Sequence, residues 1–158
     1  MSLTRKKVSP PRRQVNMVDP SAASALDPPA LLFFAFRRLT EEPDRLLSAR
    51  KLGRVHHRVL YFVGRNPGIH IGGLLEILQV SKQALHRPLT SLVGGGWIVA
   101  EASPENRRAK QLRLTRRGVA LEERLTGLQR TRFAQVFREV GPAKELAWRE
   151  VMRRLAED

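Results

Sequence analysis

A mainly helical fold carrying one small β-hairpin is predicted for this 158-residue chain by two observations. Apolar residues recur at three- and four-residue spacing over most of the length, and one pair of short β-prone runs, Trp97 to Ala102 and Lys110 to Leu114, interrupts that pattern. At this length one domain with a real core fits, and two independent ones do not.

The elements follow in order. Residues 1–28 hold four of the ten prolines and the basic side chains Arg5, Lys6, Lys7, Arg12 and Arg13. Such a mixture buries too little apolar surface to order itself, so a disordered basic N-terminal arm is expected. Asp27 then caps a helix opened by Pro28 and Pro29, whose residues Leu31, Leu32, Phe33, Phe34 and Phe36 cover much of its circumference. Thr40 and Pro43 suit a helix start better than an interior, which predicts a kink or restart there, the helix continuing to about Lys51. Val55, Val59, Leu60, Phe62 and Val63 mark a one-sided helix from Arg54 to Gly64, ended by Asn66-Pro67-Gly68.

His70 is expected to cap a short helix with apolar Ile71, Leu74, Leu75 and Leu78, weakened by Gly72 and Gly73 and closed at Gln79. Ser81 caps the next, in which Leu85, Leu89, Leu92 and Val93 repeat on one side until Gly94-Gly95-Gly96 stops it. The hairpin follows, its two runs joined by the charged stretch Ser103 to Ala109, and then helices over Gly118 to Arg138 and Pro142 to Ala156.

Charge points to the partner. Lys and Arg total 29 against 15 Asp and Glu, a formal +14, which raises a potential that attracts polyanions, nucleic acid first. A merely basic surface, a ribosomal protein or a membrane-surface protein would share that total, so the distribution has to decide. Residues 103–117 hold six basic side chains (Arg107, Arg108, Lys110, Arg113, Arg116, Arg117) against one acid, Glu105. With no cysteine there is no disulfide, thiolate nucleophile or Cys-based zinc site. Histidines at 56, 57, 70 and 86 do not make a zinc site, and neither metal nor cofactor is expected. No glycine-rich phosphate loop or triad is present, so the chain is not expected to be an enzyme. The longest apolar run, Ala30 to Phe36, is far short of the ~20 residues of a membrane span, and no signal-peptide pattern follows the N-terminus. A cytoplasmic protein without membrane contact is expected, associated with the nucleoid when bound to DNA.

Short helix, tight turn, second helix and hairpin make a winged helix-turn-helix. The run HIGGLLEILQVSKQALHRPLTSLVGGGWI followed by NRRAKQLRLTRRG resembles the DNA-binding core of the MarR family of bacterial regulators. The sharpest pieces are the Gly96-Trp97-Ile98 step into the hairpin and the Leu114-Thr115-x-x-Gly118 step out of it. The resemblance extends from about Leu31 to the C-terminus. It implies a single domain over 29–158, with a DNA-binding lobe at 54–117 and dimerisation helices at 29–51 and 118–158. A two-fold homodimer on a pseudo-palindromic operator, acting as a repressor, is what the resemblance implies.

A major groove about 12 Å wide admits one α-helix, so one face must pack while the other reads. With the leucines turned inward, Ser81, Lys82, Gln83, His86, Arg87 and Thr90 are the candidate reading residues; Arg87 suits guanine and Gln83 adenine. In the wing the candidates are Asn106, Arg107, Arg108 and Lys110. The family's wing tip carries Asp-x-Arg, and by that resemblance Asn106 stands in the aspartate's place while Arg108 keeps the minor-groove arginine. Pro88 inside the reading helix costs ~3 kcal/mol and predicts a kink. The basic arm is either an unselected tail or a source of further phosphate contacts.

The C-terminal apolar stripes of Leu121, Leu125 and Leu128, then Phe133, Val136 and Phe137, then Leu146, Val151, Met152 and Leu155, exceed what the reading lobe covers; with the first helix they form either an intramolecular bundle or, as the resemblance implies, the two-fold interface. The resemblance also implies a small aromatic or anionic effector held near His56, His57, Arg58 and Tyr61. The alternatives are a non-specific architectural or nucleoid protein, and a winged helix used for protein contacts.

Overall fold

The computed structural model describes residues 27–103 and 110–157. Residues 1–26 of the expected basic arm 1–28, and Asn106, Arg107 and Arg108 of the wing, lie outside the described residues; Asp27 and Pro28 belong to the start of a helix instead. The chain divides into two compact units, the first ending at Phe36 and the second beginning at Arg37.

The described part of the first unit is the opening of helix α1 (Pro28–Ser48). Asp27 caps it as expected, accepting from the Ala30 amide at 3.2 Å through Oδ1 and from the Leu31 amide through its carbonyl. Leu32 and Phe33 are exposed, and the Phe33 ring meets Phe34 edge-on at 5.4 Å.

In the second unit, α1 passes through Thr40 and Pro43 without the expected restart. Thr40 caps nothing; its hydroxyl donates back to the Arg37 carbonyl at 3.3 Å, inside the same helix. Pro43 gives up one helical hydrogen bond, but it is fully buried beside the buried Thr40 and Leu47, so packing holds the helix where local propensity would break it. The helix ends at Ser48, three residues earlier than expected. The Leu52 amide reaches the Leu47 carbonyl and the Lys51 amide the Ser48 carbonyl, both at 3.0 Å, with Lys51 at φ 58°. That pair of bonds is a Schellman closure, and buried Leu47 and Leu52 supply its apolar contact.

Helix α2 (Arg54–Arg65) buries Val59, Leu60 and Val63, and helix α3 (Ile71–Leu78) buries Leu74. Between them Ile69–His70 form a short strand, β1, which the sequence pattern did not predict. His70 holds the N-cap position of α3 as expected, without a side-chain hydrogen bond; its backbone is extended and pairs with Gln111. Helix α4 (Lys82–Gly94) is followed by strands β2 (Ile98–Ala102) and β3 (Lys110–Leu114). The expected two-stranded hairpin is thus part of a three-stranded antiparallel sheet of order β1-β3-β2, with Ile69 opposite Leu112 and Ile98 opposite Leu114. Helix α5 (Arg116–Val140) starts two residues before its expected beginning because Thr115 caps it, accepting from the Gly118 amide at 3.0 Å. Helix α6 (Pro142–Ala156) closes the chain over the expected residues.

The core gathers Leu47, Leu52, Val59, Leu60, Val63, Leu74, Leu85, Leu92, Trp97, Ile98, Leu112, Leu121 and Leu125. Every element of the winged lobe except β1 contributes a buried side chain, and the N-terminal part of α5, through Leu121 and Leu125, is built into the same core. Further along, Phe133 and Phe137 of α5 contact the exposed Trp148 of α6 at ring distances of 5.1 and 5.2 Å. Among the described residues, no helix is long and apolar enough to cross a membrane.

Candidate nucleic-acid interface

The turn between α3 and α4 sets the reading helix. Gln79 takes the left-handed conformation at φ 50°, its side-chain amide donating to the Glu76 carbonyl at 2.7 Å, so a glycine-like turn is made without glycine. Two residues later Ser81 Oγ accepts from the Ala84 amide at 3.1 Å and starts α4. Leu85 and Leu92, two turns apart, are wholly buried, while Leu89 between them is half-buried.

That anchoring decides the opposite side. Ser81, Lys82, Gln83, His86, Arg87 and Thr90 are all exposed, the arrangement the apolar repeat predicts. Pro88 lies inside the continuous helix and is half-buried. Having no N–H, it leaves the Ala84 carbonyl without its helical donor. Between α4 and the sheet runs a groove of about 520 Å³ with Leu85, Leu89 and Ala100 in its lining and Lys82, His86 and Lys110 among its polar members. Lys110, the one wing candidate within the described residues, is exposed at the start of β3, opposite Ala102. Arg113, exposed on the same strand, brings a guanidinium nitrogen near Gly68.

The candidate effector residues of α2 already have contacts. The Gly53 amide donates to His56 Nδ1 at 3.0 Å, closing the first turn of the helix. His57 Nε2 lies 3.3 Å from Thr126 Oγ1 of α5. The Thr126 hydroxyl donates to Glu122 Oε1 at 2.6 Å, and Arg65 donates to the same oxygen at 3.1 Å. Because Thr126 gives its proton to the carboxylate, its oxygen is free to accept, which selects the His57 tautomer protonated on Nε2. Burial pushes both His56 and His57 below the ordinary histidine value; for His57 it outweighs the opposing pull of Glu122 and Asp44. The Arg65 guanidinium lies 4.1 Å from the centre of the Tyr61 ring, and Arg58 is exposed. Among the described residues, no cluster of three or more metal-ligating side chains is present.

A sequence profile of the MarR family matches residues 51–109. The HTH-type transcriptional regulator PetP of Rhodobacter capsulatus is 36% identical over 121 residues, spanning 77% of this chain and 73% of that protein. The chain belongs to the MarR family. A crystal structure of MarR aligns over 84% of the chain and 90% of its own length, with 28% identity and a TM-score of 0.68. A MarR family protein of Mycobacterium tuberculosis, solved in complex with salicylic acid, shares the fold at 24% identity, covering 85% of this chain and 99% of that one with a TM-score of 0.58.

As a MarR family protein the chain is a DNA-binding transcriptional regulator on a winged helix, and its relatives are regulators rather than enzymes. The apolar repeat locates the exposed row on α4 but not how α4 is held. In the sequence, Gly94-Gly95-Gly96 stands as a stop and Leu114-Thr115-x-x-Gly118 as a separate step. In the structure the two are bonded: the Thr115 hydroxyl donates to the Gly96 carbonyl at 2.7 Å and Arg117 to the Gly95 carbonyl at 3.0 Å. The only sequence signal was the presence of both motifs in one chain. Separations of 19 and 22 residues hide the bonds from any local pattern.

Proposed function

We propose that this protein is a repressor that binds a pseudo-palindromic operator as a homodimer, laying α4 of each protomer in the major groove. One observation carries the reading. The row Lys82, Gln83, His86, Arg87 and Thr90 is exposed on a helix whose other side is pinned by Leu85 and Leu92. Hydrogen-bonding ends thus stand outward on a cylinder of groove width. Arg87 and Gln83 read base edges, Ser81 and Lys82 sit at the helix start beside the backbone, and the wing, through Lys110, Arg107, Asn106 and Arg108, holds the adjacent phosphates and minor groove.

Homodimerisation is supported by exposed apolar side chains that a lone protomer leaves in water: Leu32 and Phe33 on α1, and Leu146, Val151 and Leu155 on α6. Two copies related by a two-fold axis place half-site centres about 10 bp apart. A small aromatic acid is the effector class this reading favours, on the strength of the salicylic acid complex of a relative. It releases DNA only by binding the free and bound states unequally. The protein works in the cytoplasm, on the nucleoid.

The test is a gel-shift competition with full-length protein and a duplex selected from random sequence. A specific regulator prefers the selected palindrome over bulk DNA by ~10³-fold or more. Equal binding to both would make this an architectural protein, and the absence of salt-sensitive binding would make the winged helix a protein-contact module.

A further inference from the structure

The reading helix ends in an arrangement whose last component comes from another element. Its closure is a Schellman motif: the Gly96 amide donates to the Val93 carbonyl and the Trp97 amide to the Leu92 carbonyl, both at 3.0 Å, with Gly96 at φ 72°. Those bonds use carbonyls further inside the turn and leave those of Gly95 and Gly96 pointing onward. A cation would suit this negative end of the helix, yet the last turn of α4 contains none.

Arg117, in the first turn of α5, supplies it. Its NH1 donates to the Gly95 carbonyl at 3.0 Å, and its guanidinium lies 4.6 Å from the centre of the Trp97 ring, a cation–π distance. Beside it the Thr115 hydroxyl donates to the Gly96 carbonyl at 2.7 Å. The joint has no slack: a Cβ on Gly95 would come within 1.9 Å of the Trp97 ring, and one on Gly118 within 2.0 Å of the Trp97 carbonyl oxygen. Trp97 is at once the last link of the Schellman closure, the platform for Arg117 and the residue before β2.

We infer that Arg117 is a positioning residue for DNA reading: it fixes the C-terminal end of α4 against α5 and the sheet, and its charge is directed at a helix end rather than at a phosphate. Arg116 and Arg117 are both exposed; what sets Arg117 apart is that its guanidinium is engaged by the Gly95 carbonyl and the Trp97 ring. The inference rests on the proposed reading of an operator by α4, and it adds a residue that governs specificity without touching a base.

Salt dependence separates the two roles, because removing one phosphate-binding side chain lowers the slope of log K against log salt by ~0.9. Full-length wild-type protein and the Arg117→Met and Arg117→Lys variants are titrated with the selected palindrome and with a scrambled duplex of equal length, across a salt series. Arg117→Met keeps the aliphatic stem over Trp97. It is expected to bind the palindrome about tenfold more weakly, equivalent to ~1.4 kcal/mol, with the scrambled duplex and both salt slopes unchanged. Arg117→Lys, which keeps a donor and the charge but not the planar stack, is expected to fall between the two proteins. A slope lowered by the amount of one phosphate, with equal weakening on both duplexes, would make Arg117 a phosphate-binding residue and overturn the inference, as would wild-type behaviour of Arg117→Met. Should Arg117→Met prove too unstable to titrate, Arg117→Lys decides alone through its ratio between the duplexes: weakening confined to the palindrome supports the inference, and an unchanged ratio overturns it. A wild-type protein that does not distinguish the duplexes defeats the operator reading itself, a result visible before any variant is compared.

Discussion

The hydroxyl of Thr126 donates to Oε1 of Glu122 at 2.6 Å, one turn away on α5, with both residues buried. Arg65 of α2 donates to the same carboxylate oxygen and His57 of α2 approaches the hydroxyl, so one turn of α5 is tied by polar contacts to both the first turn and the last residue of α2. A carboxylate there is tolerated because its bonding capacity is met by charge and hydroxyl together.

Removing one member exposes the cost of the others. Glu122→Ala leaves Arg65 facing an apolar gap and Thr126 without its acceptor, and should lower unfolding free energy by about 2 kcal/mol, moderated because Arg65 is partly exposed. Thr126→Val, nearly isosteric, should cost about 1 kcal/mol. Urea denaturation of the three proteins checks the order; a Glu122→Ala protein as stable as wild type would mean that the carboxylate contributes nothing net.

Acid should loosen the same interface. His57 and His56 titrate below the ordinary 6.5 in the fold because burial disfavours their charged forms. The unfolded chain then takes up protons first as pH falls, so this share of stability is present above about pH 6.5 and is lost as pH drops through the depressed folded values. Melting temperature should fall between pH 7.5 and pH 5, and His57→Gln, which keeps a neutral donor, should flatten that fall. Parallel pH profiles for the two proteins would remove His57 as the cause.

Gly118 admits no side chain. A Cβ placed there meets the Trp97 carbonyl oxygen at 2.0 Å, and a backbone atom cannot swing aside as a flexible side chain can. Gly118→Ala should therefore destabilise by about 3 kcal/mol, although alanine is the better helix former. Gly127→Ala, on the same helix with nothing within 4 Å of its Cβ, should raise stability by up to about 1 kcal/mol. Thermal melts of the pair distinguish a steric cause from a propensity cause, since propensity alone moves both upward.

Base reading and phosphate holding should separate by mutation. Arg87→Ala, from the exposed side of α4, is expected to cost about 1–3 kcal/mol on the selected palindrome and to relax preference at one base pair. Arg108→Ala is expected to weaken binding on every sequence and reduce the salt slope by about 1. Binding isotherms on matched and single-substituted duplexes make the comparison; uniform weakening for both variants would dissolve the division of labour.

Whether a feature is legible in the sequence depends on the range of the interaction behind it. The seven-residue step from Leu85 to Leu92 marks the buried side of α4, and with it the exposed Lys82, Gln83, His86, Arg87 and Thr90, because helical geometry converts spacing into direction without help from the rest of the chain. Capping by Asp27 and Ser81 was legible for the same reason: a side-chain oxygen reaches an amide three residues on. His70 stands at the N-cap of α3 as its place in the sequence indicates, but its pairing with Gln111 of β3 could not be read there, because that partner lies some forty positions away.

What Asp27, Ser81 and the leucine repeats determined by themselves was local: which segments are helices, where most of them begin, and which side of α4 faces out. Tertiary structure alone decided that Pro43 would sit inside a helix, that Ile69 and His70 would join a sheet, and that Arg117 would close the end of α4 over Trp97. In each of these cases burial or a distant hydrogen-bond partner contributes more free energy than the local preference it overrides, and neither is encoded in nearest-neighbour spacing.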